Sequence, residues 1–147
     1  MVNVKDEVIK MLNRGLELEY AARIQYLAHA EKIKGPGAEK IVERLKEIAS
    51  DELNHEEKFR NLIAVYLDGD VSMSLAETHP SSDQKAIFEI NLKIEKDAID
   101  FYKQIYQKVT ENKKDFQYSF ETLEHELRHI IIDEQEHVVE LSLLLGI

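Results

Sequence analysis

Asp51-Glu52-Leu53-Asn54-His55 and Asp133-Glu134-Gln135-Glu136-His137 are two copies of one pattern, an aspartate followed at once by Glu-x-x-His. Each lies downstream of a long helix-compatible segment with a lone glutamate near its middle, Glu19 before the first copy and Glu95 before the second. On a helix, residues three apart share a face, so each Glu/His pair can point into one place. The chain is therefore read as two halves that echo each other, each built from a helix with a lone glutamate and a helix with a Glu-x-x-His.

The breaks between segments support that division. Gly35-Pro36-Gly37, the stretch from Asp68-Gly69-Asp70 to Pro80-Ser81-Ser82-Asp83, and Glu111-Asn112-Lys113-Lys114-Asp115 interrupt four segments with helical patterning. The first helix is expected from about Asn3, as N-cap, to Lys34. The second is expected from Pro36, at the first helical position, to Leu67. The third follows Ser82 and runs to Asn112, and the fourth runs from Asp115 or Ser119 to Leu145.

Apolar residues recur at helical spacing in each segment. They are Leu12, Leu16, Tyr26 and Ile33, then Ile41, Leu45, Ile48, Phe59 and Leu62. In the second half they are Ile87, Ile94, Ile105 and Val109, then Leu123, Leu127, Ile130, Leu141 and Leu144. Two short connections make antiparallel hairpins. The middle one, Asp68 to Ser82, can span a bundle when extended at about 3.3 Å per residue. The expected architecture is all-α, a four-helix bundle of two antiparallel hairpins joined by a long crossover, forming one domain over residues 1–147.

Mid-points of paired antiparallel helices meet at one height. Glu19, Glu52, Glu95 and Glu134 then converge inside the bundle with His55 and His137. Four buried carboxylates without cations repel each other and are poorly solvated. Two divalent cations neutralise them, and a mixed carboxylate and imidazole donor set suits iron, with manganese or zinc as substitutes. A glutamate from each of two helices plus Glu-x-x-His from the other two is the donor set of di-iron carboxylate bundles. Glu52 and Glu134 are the expected bridging ligands, Glu19 and Glu95 the terminal ones, with one histidine on each metal. Asp51 is expected to accept the free ring N–H of His137, and Asp133 that of His55.

Tyr26 and Tyr102 each lie seven residues after a lone glutamate, on the same face. They are candidate catalytic residues, bonded to ligand carboxylates or supplying an electron during O₂ chemistry. A third copy, Glu126-Leu127-Arg128-His129, has no preceding aspartate and is read as a solvated face. His29 is read as a structural or interface histidine. His79 and His125 carry no pattern of their own.

Composition bounds the rest. The 147 residues contain no cysteine, which excludes thiolate chemistry within this chain, and the net charge of -10 gives no electrostatic reason to bind nucleic acid or an anionic membrane. No apolar run approaches the roughly 20 residues of a membrane span. A cytoplasmic protein without nucleic-acid or membrane partners is the expectation.

At these residues the chain resembles the ferritin-like superfamily, bacterioferritin above all. The stretch from Glu19 through Gln25-Tyr26-Leu27-Ala28-His29-Ala30 is similar to the first bacterioferritin helix, and the two Asp-Glu-x-x-His motifs are similar to its ligand motifs. The resemblance implies a ferroxidase that oxidises Fe²⁺ with O₂ or H₂O₂ for iron storage or detoxification, inside a hollow homo-oligomer. Leu53 stands where haem-binding bacterioferritins carry the haem-ligating methionine, so no haem is expected. The sequence given stops ten residues after His137, without the short fifth helix of large ferritin cages. A dimer-based shell of 12 subunits, as in Dps-like proteins with a bacterioferritin-type site, is thus as compatible as one of 24. A rubrerythrin-like peroxidase and other O₂-activating di-iron oxidases remain as alternatives. The rubrerythrin family adds a glutamate one turn after the third-helix ligand, where this chain has Ala98.

Overall fold

The computed structural model describes residues 3–147. Four long helices carry the fold: α1 Val4–Ala30, α2 Ala38–Asn61, α3 Gln84–Glu111 and α4 Phe120–Leu145, with no strand among the described residues. Helices α1 and α2 pack as one antiparallel hairpin and α3 and α4 as the other; α1 then lies against α3, and α2 against α4. This is the ferritin-like four-helix bundle with a crossover between its hairpins.

Caps set the helix starts. The Asn3 side chain accepts the Asp6 N–H at 2.8 Å, and Asp83 accepts the Ala86 N–H at 2.9 Å, each satisfying a free amide of the first turn. Two boundaries differ from the sequence reading. Helix α1 stops at Ala30 rather than Lys34, and α2 starts at Ala38, not at Pro36. The cause is Gly37, which takes the left-handed conformation at φ 78° as the residue before the helix, so Pro36 falls in the turn. At its far end α2 loosens into a π-turn, Leu62–Tyr66. A short 3₁₀ turn, Lys113–Phe116, fills the α3–α4 connection.

The crossover has no helix, yet it is tied along the whole flank of α1. The Asn13 amide donates to the Asp70 carbonyl and its oxygen accepts the Ser72 N–H, both at 2.8 Å. The Ser72 hydroxyl donates to Glu17 at 2.6 Å, and the Ala76 N–H donates to the Glu17 carbonyl at 3.1 Å. Near the end of α1, the His79 N–H donates to Gln25 Oε1 at 2.6 Å, and the His29 ring bonds the His79 carbonyl at 2.8 Å.

The core is split in two. One apolar cluster gathers Leu12, Leu16, Phe59, Ile63, Ile105, Leu123 and Leu127; the other gathers Ala22, Leu45, Ile48, Ile87, Phe88 and Leu141. Between them every helix contributes buried polar side chains, and this layer holds the site. Ile94 lies outside both clusters. It is half-buried and lines a recess of about 200 Å³ with Ala21, Ala22, Ala76 and Ala98, between α1, α3 and the crossover. Ile41 and Leu144 are likewise only partly buried, at the rim of the second cluster.

Candidate metal centre

Glu19 and Glu95 come from the middles of α1 and α3, while α2 and α4 each supply a glutamate and, one turn on, a histidine. Each of these six side chains is at most 1% exposed. They fall into two overlapping groups, Glu19, Glu52, His55 and Glu134, and Glu52, Glu95, Glu134 and His137. Within each group the donor atoms lie within 4.8 Å of one another, and Glu52 and Glu134 belong to both. The structure thus brings all six residues singled out in the sequence to one place.

The imidazoles are held in a defined orientation. His55 Nε2–H donates to Asp133 Oδ2 at 2.9 Å, and His137 Nε2–H donates to Asp51 Oδ2 at 2.9 Å. With Nε2 committed outward, each Nδ1 faces the carboxylates. His55 Nδ1 is 3.4 Å from Glu19, 3.6 Å from Glu52 and 3.3 Å from Glu134. His137 Nδ1 is 3.4 Å from Glu52, 3.3 Å from Glu95 and 3.2 Å from Glu134. The two arrangements are related by the same pseudo-two-fold that relates the two sequence motifs.

Tyr26 and Tyr102 complete that symmetry, crossing between halves. The Tyr26 hydroxyl donates to Glu95 at 3.0 Å, and that of Tyr102 donates to Glu19 at 2.8 Å. Each tyrosine therefore serves the lone glutamate of the other hairpin, not the one on its own helix. Gly15 makes room for this. A β-carbon there would stand 3.0 Å from Phe59 Cζ and 3.2 Å from Tyr102 Cε1.

Proton affinities follow from burial and crowding. Burial first, and then the Glu134 charge, raise Glu19, raise Glu52 well above its ordinary value and push Glu95 up to about 8. Burial works against ionisation of Glu134 too, but the His137 and His55 rings, whose Nδ1 atoms stand 3.2 and 3.3 Å away, outweigh it and hold that carboxyl ionised. Burial disfavours a charged His55, yet the Glu19 charge and the bond to Asp133 push it up to about 12. His137 is raised in the same way, burial being overcome by its bonds to Asp51, Glu134 and Glu95. Burial and the adjoining Glu95 and Glu19 charges keep Tyr26 and Tyr102 as phenols.

Protons alone leave this cluster unsatisfied. Glu19 Oε2, Glu52 Oε1, His55 Nδ1 and Glu134 Oε1 are buried without a hydrogen-bond partner. Orphaned buried acceptors are costly, and these belong to both groups around the shared carboxylates. The four carboxylates and two outward-fixed imidazoles fit a pair of divalent cations, and their oxygen and nitrogen donors suit iron, manganese or zinc.

A second polar network escaped the sequence reading. Gln25 Nε2 donates to Asn91 Oδ1 at 2.9 Å, and Asn91 Nδ2 is 2.9 Å from His29 Nδ1. His29 is thereby a satisfied structural histidine, and His79 joins it through its backbone. The only local sign was Asn91 on the apolar face of α3, one turn before Glu95. Beside the site, buried Glu56 pairs with Arg23 across the α1–α2 seam.

Comparison with known proteins agrees with this fold. A bacterial ferritin from Pseudomonas aeruginosa is 33% identical over 90 residues, which span 61% of this chain and 58% of that one, little more than half of its length. A ferritin-like, diiron-carboxylate protein from Bacillus anthracis str. Ames has the same fold, with a TM-score of 0.87 at 23% identity over 99% of both chains. Mycobacterium tuberculosis bacterioferritin gives a TM-score of 0.85 at 25% identity, covering 95% of this chain and 84% of that one. The ferritin-like domain pattern matches residues 9–146, and with that extent of agreement the chain belongs to the ferritin-like family.

Proposed function

We propose that this protein is a ferroxidase, taking Fe²⁺ as substrate and O₂ or H₂O₂ as oxidant, in the service of iron storage or detoxification. The observation that carries the reading is the pair of overlapping donor groups sharing Glu52 and Glu134. Glu19 and His55 would hold one ion and Glu95 and His137 the other, with Glu52 and Glu134 reaching both. Two ferrous ions held there would supply two electrons, enough to reduce H₂O₂ to water or O₂ to H₂O₂, with protons taken up by the reduced oxidant.

The chain's own residues prepare that reaction. Asp51 and Asp133 fix the imidazoles so that only Nδ1 faces inward. Protons held by Glu52 and Glu95 leave as the cations bind, so loading and deprotonation are one event. Tyr26 and Tyr102 would supply the two further electrons that carry O₂ past H₂O₂ to water, their phenolic protons being directed at Glu95 and Glu19. The recess lined by Ala22 and Ala98 lies one helical turn from both lone glutamates.

A homo-oligomer fits the surface. Ile24 and Leu27 on α1 and Leu53 on α2 are 39%, 38% and 43% exposed, an apolar complement suited to a second copy of the chain. The test is iron retained per subunit after aerobic Fe²⁺ loading and desalting, alongside O₂-dependent oxidation. Many ions per subunit with rapid oxidation is the expected result. A single pair per subunit would redirect the reading to a non-storage oxidase. Absence of oxidation would overturn it.

A further inference from the structure

Helix α4 carries a second arrangement of metal-binding residues, away from the buried centre. His125-Glu126-Leu127-Arg128-His129 places two histidines four apart, one turn along the same face. His125 is exposed and His129 half-buried, and their ring centroids are 4.2 Å apart with planes tilted by 36°. Neither ring takes a hydrogen bond or ion pair among the described residues. Two imidazoles that close can share one ion through bonds of about 2.1 Å to each.

We propose that His125 and His129 form a surface site for a divalent ion of the zinc, copper and nickel class. Paired imidazoles suit these metals, and Fe²⁺ stands well below copper and nickel in the order of divalent affinities, so the occupant is not iron in transit. The local charge permits a cation, because Arg128 is neutralised by Glu124 at 2.8 Å. Water completes the coordination.

The same spacing with an intervening glutamate also occurs in helical zinc peptidases, where the glutamate acts as general base. Here Glu126 is turned toward α2, with its carboxylate 3.5 Å from Lys58 Nζ. That ion pair draws its carboxylate toward α2 and away from the histidine pair. The site binds metal without hydrolysing peptides.

This inference is independent of the buried centre, and the experiment separates the two. Zn²⁺ bound per chain is measured by equilibrium dialysis on the intact protein, wild type and with His125→Asn or His129→Asn. Retention on an immobilised Zn²⁺ chelate, which the buried centre cannot reach, is the second measurement. Each substitution is expected to remove one zinc per chain and to weaken surface binding on the order of a hundredfold, because two ligands on one rigid helix act together. Fe²⁺ oxidation should be unchanged in both variants. Equal zinc content and equal retention in wild type and both variants would overturn the proposal. Loss in one variant alone would also overturn it, since a shared ion needs both rings.

Discussion

Tyr26 on α1 and Glu95 on α3 are joined by a 3.0 Å hydrogen bond that crosses from one hairpin to the other. Its symmetry mate joins Tyr102 to Glu19. The lone glutamates are therefore held by groups from the opposite half, and the geometry of each depends on the hairpins docking in register. Tyr26→Phe removes one donor and leaves a buried carboxylate oxygen short of a partner, a loss of about 1–3 kcal/mol in stability. Stopped-flow Fe²⁺ oxidation should slow in this variant and in Tyr102→Phe while the number of ions bound at the centre stays the same. An unchanged rate in both would remove the tyrosines from the chemistry.

Glu52→Ala and His137→Ala should each abolish rapid Fe²⁺ oxidation, because Glu52 belongs to both donor groups and His137 anchors one. A redox-inert ion gives an independent reading. Co²⁺ at a hundred times its dissociation constant should stabilise the wild type by about 2.7 kcal/mol, seen as a rise in Tm. The same concentration should leave the Tm of Glu52→Ala nearly still.

Stability of the metal-free protein should fall as pH rises from about 5 to about 9. Glu95 is raised from 4.5 to about 8, so across that window the unfolded chain has lost a proton that the folded chain keeps. The contribution of Glu95 is complete below 4.5 and gone above about 8. His55 has the same sign, raised from 6.5 to about 12, so its contribution also declines above 6.5. Asp133 and Glu134 are depressed and act only in acid, where their contribution is lost as they protonate. Thermal melts in the presence of a chelator would show the decline. A Tm that climbs over this interval would contradict the assignment of protons to the centre.

Gly15→Val should be destabilising and should also slow oxidation. Replacing a mid-helix glycine normally favours the helix by up to about 1 kcal/mol. Here the added atoms meet Phe59 and Tyr102, and overpacking of this kind costs about 1–3 kcal/mol. Movement of the Tyr102 ring would loosen its bond to Glu19, so the rate of Fe²⁺ oxidation should fall along with the Tm. A variant with a lowered Tm and a wild-type rate would show that the ring stays put.

Asn91→Ala should open the polar network beneath the crossover. It strips Gln25 and His29 of buried partners, each left at a cost of about 1–3 kcal/mol. Because Gln25 and His29 hold His79, the crossover should become sensitive to protease near Thr78 and Pro80 before the helices do.

The six convergent side chains were legible because their spacing is a property of the helix itself. Glu52 and His55 share a face wherever α2 begins, so the error over Pro36 did not disturb them. The capping role of Asn3 is also local. What was not legible depends on distant partners. His79 sits in a segment without periodicity, and its partners Gln25 and His29 are 54 and 50 residues away. The crossed pairing of the tyrosines was hidden for the same reason, since spacing places Tyr26 near Glu19 and only docking carries it to Glu95. Ile94 fits the apolar stripe of α3, but small residues across from it leave a recess instead of a packed contact.

The division of the core has a mechanical consequence. Two oily ends are separated by a waist whose carboxylates repel one another, and the same four helices run through all three zones. Cations bound at the waist would act as a rivet, making the ends open together. Without them each end can breathe on its own, and backbone amides around Ala49 and Leu92, next to the waist, would exchange with solvent long before those buried deep beside Leu12 or Leu123.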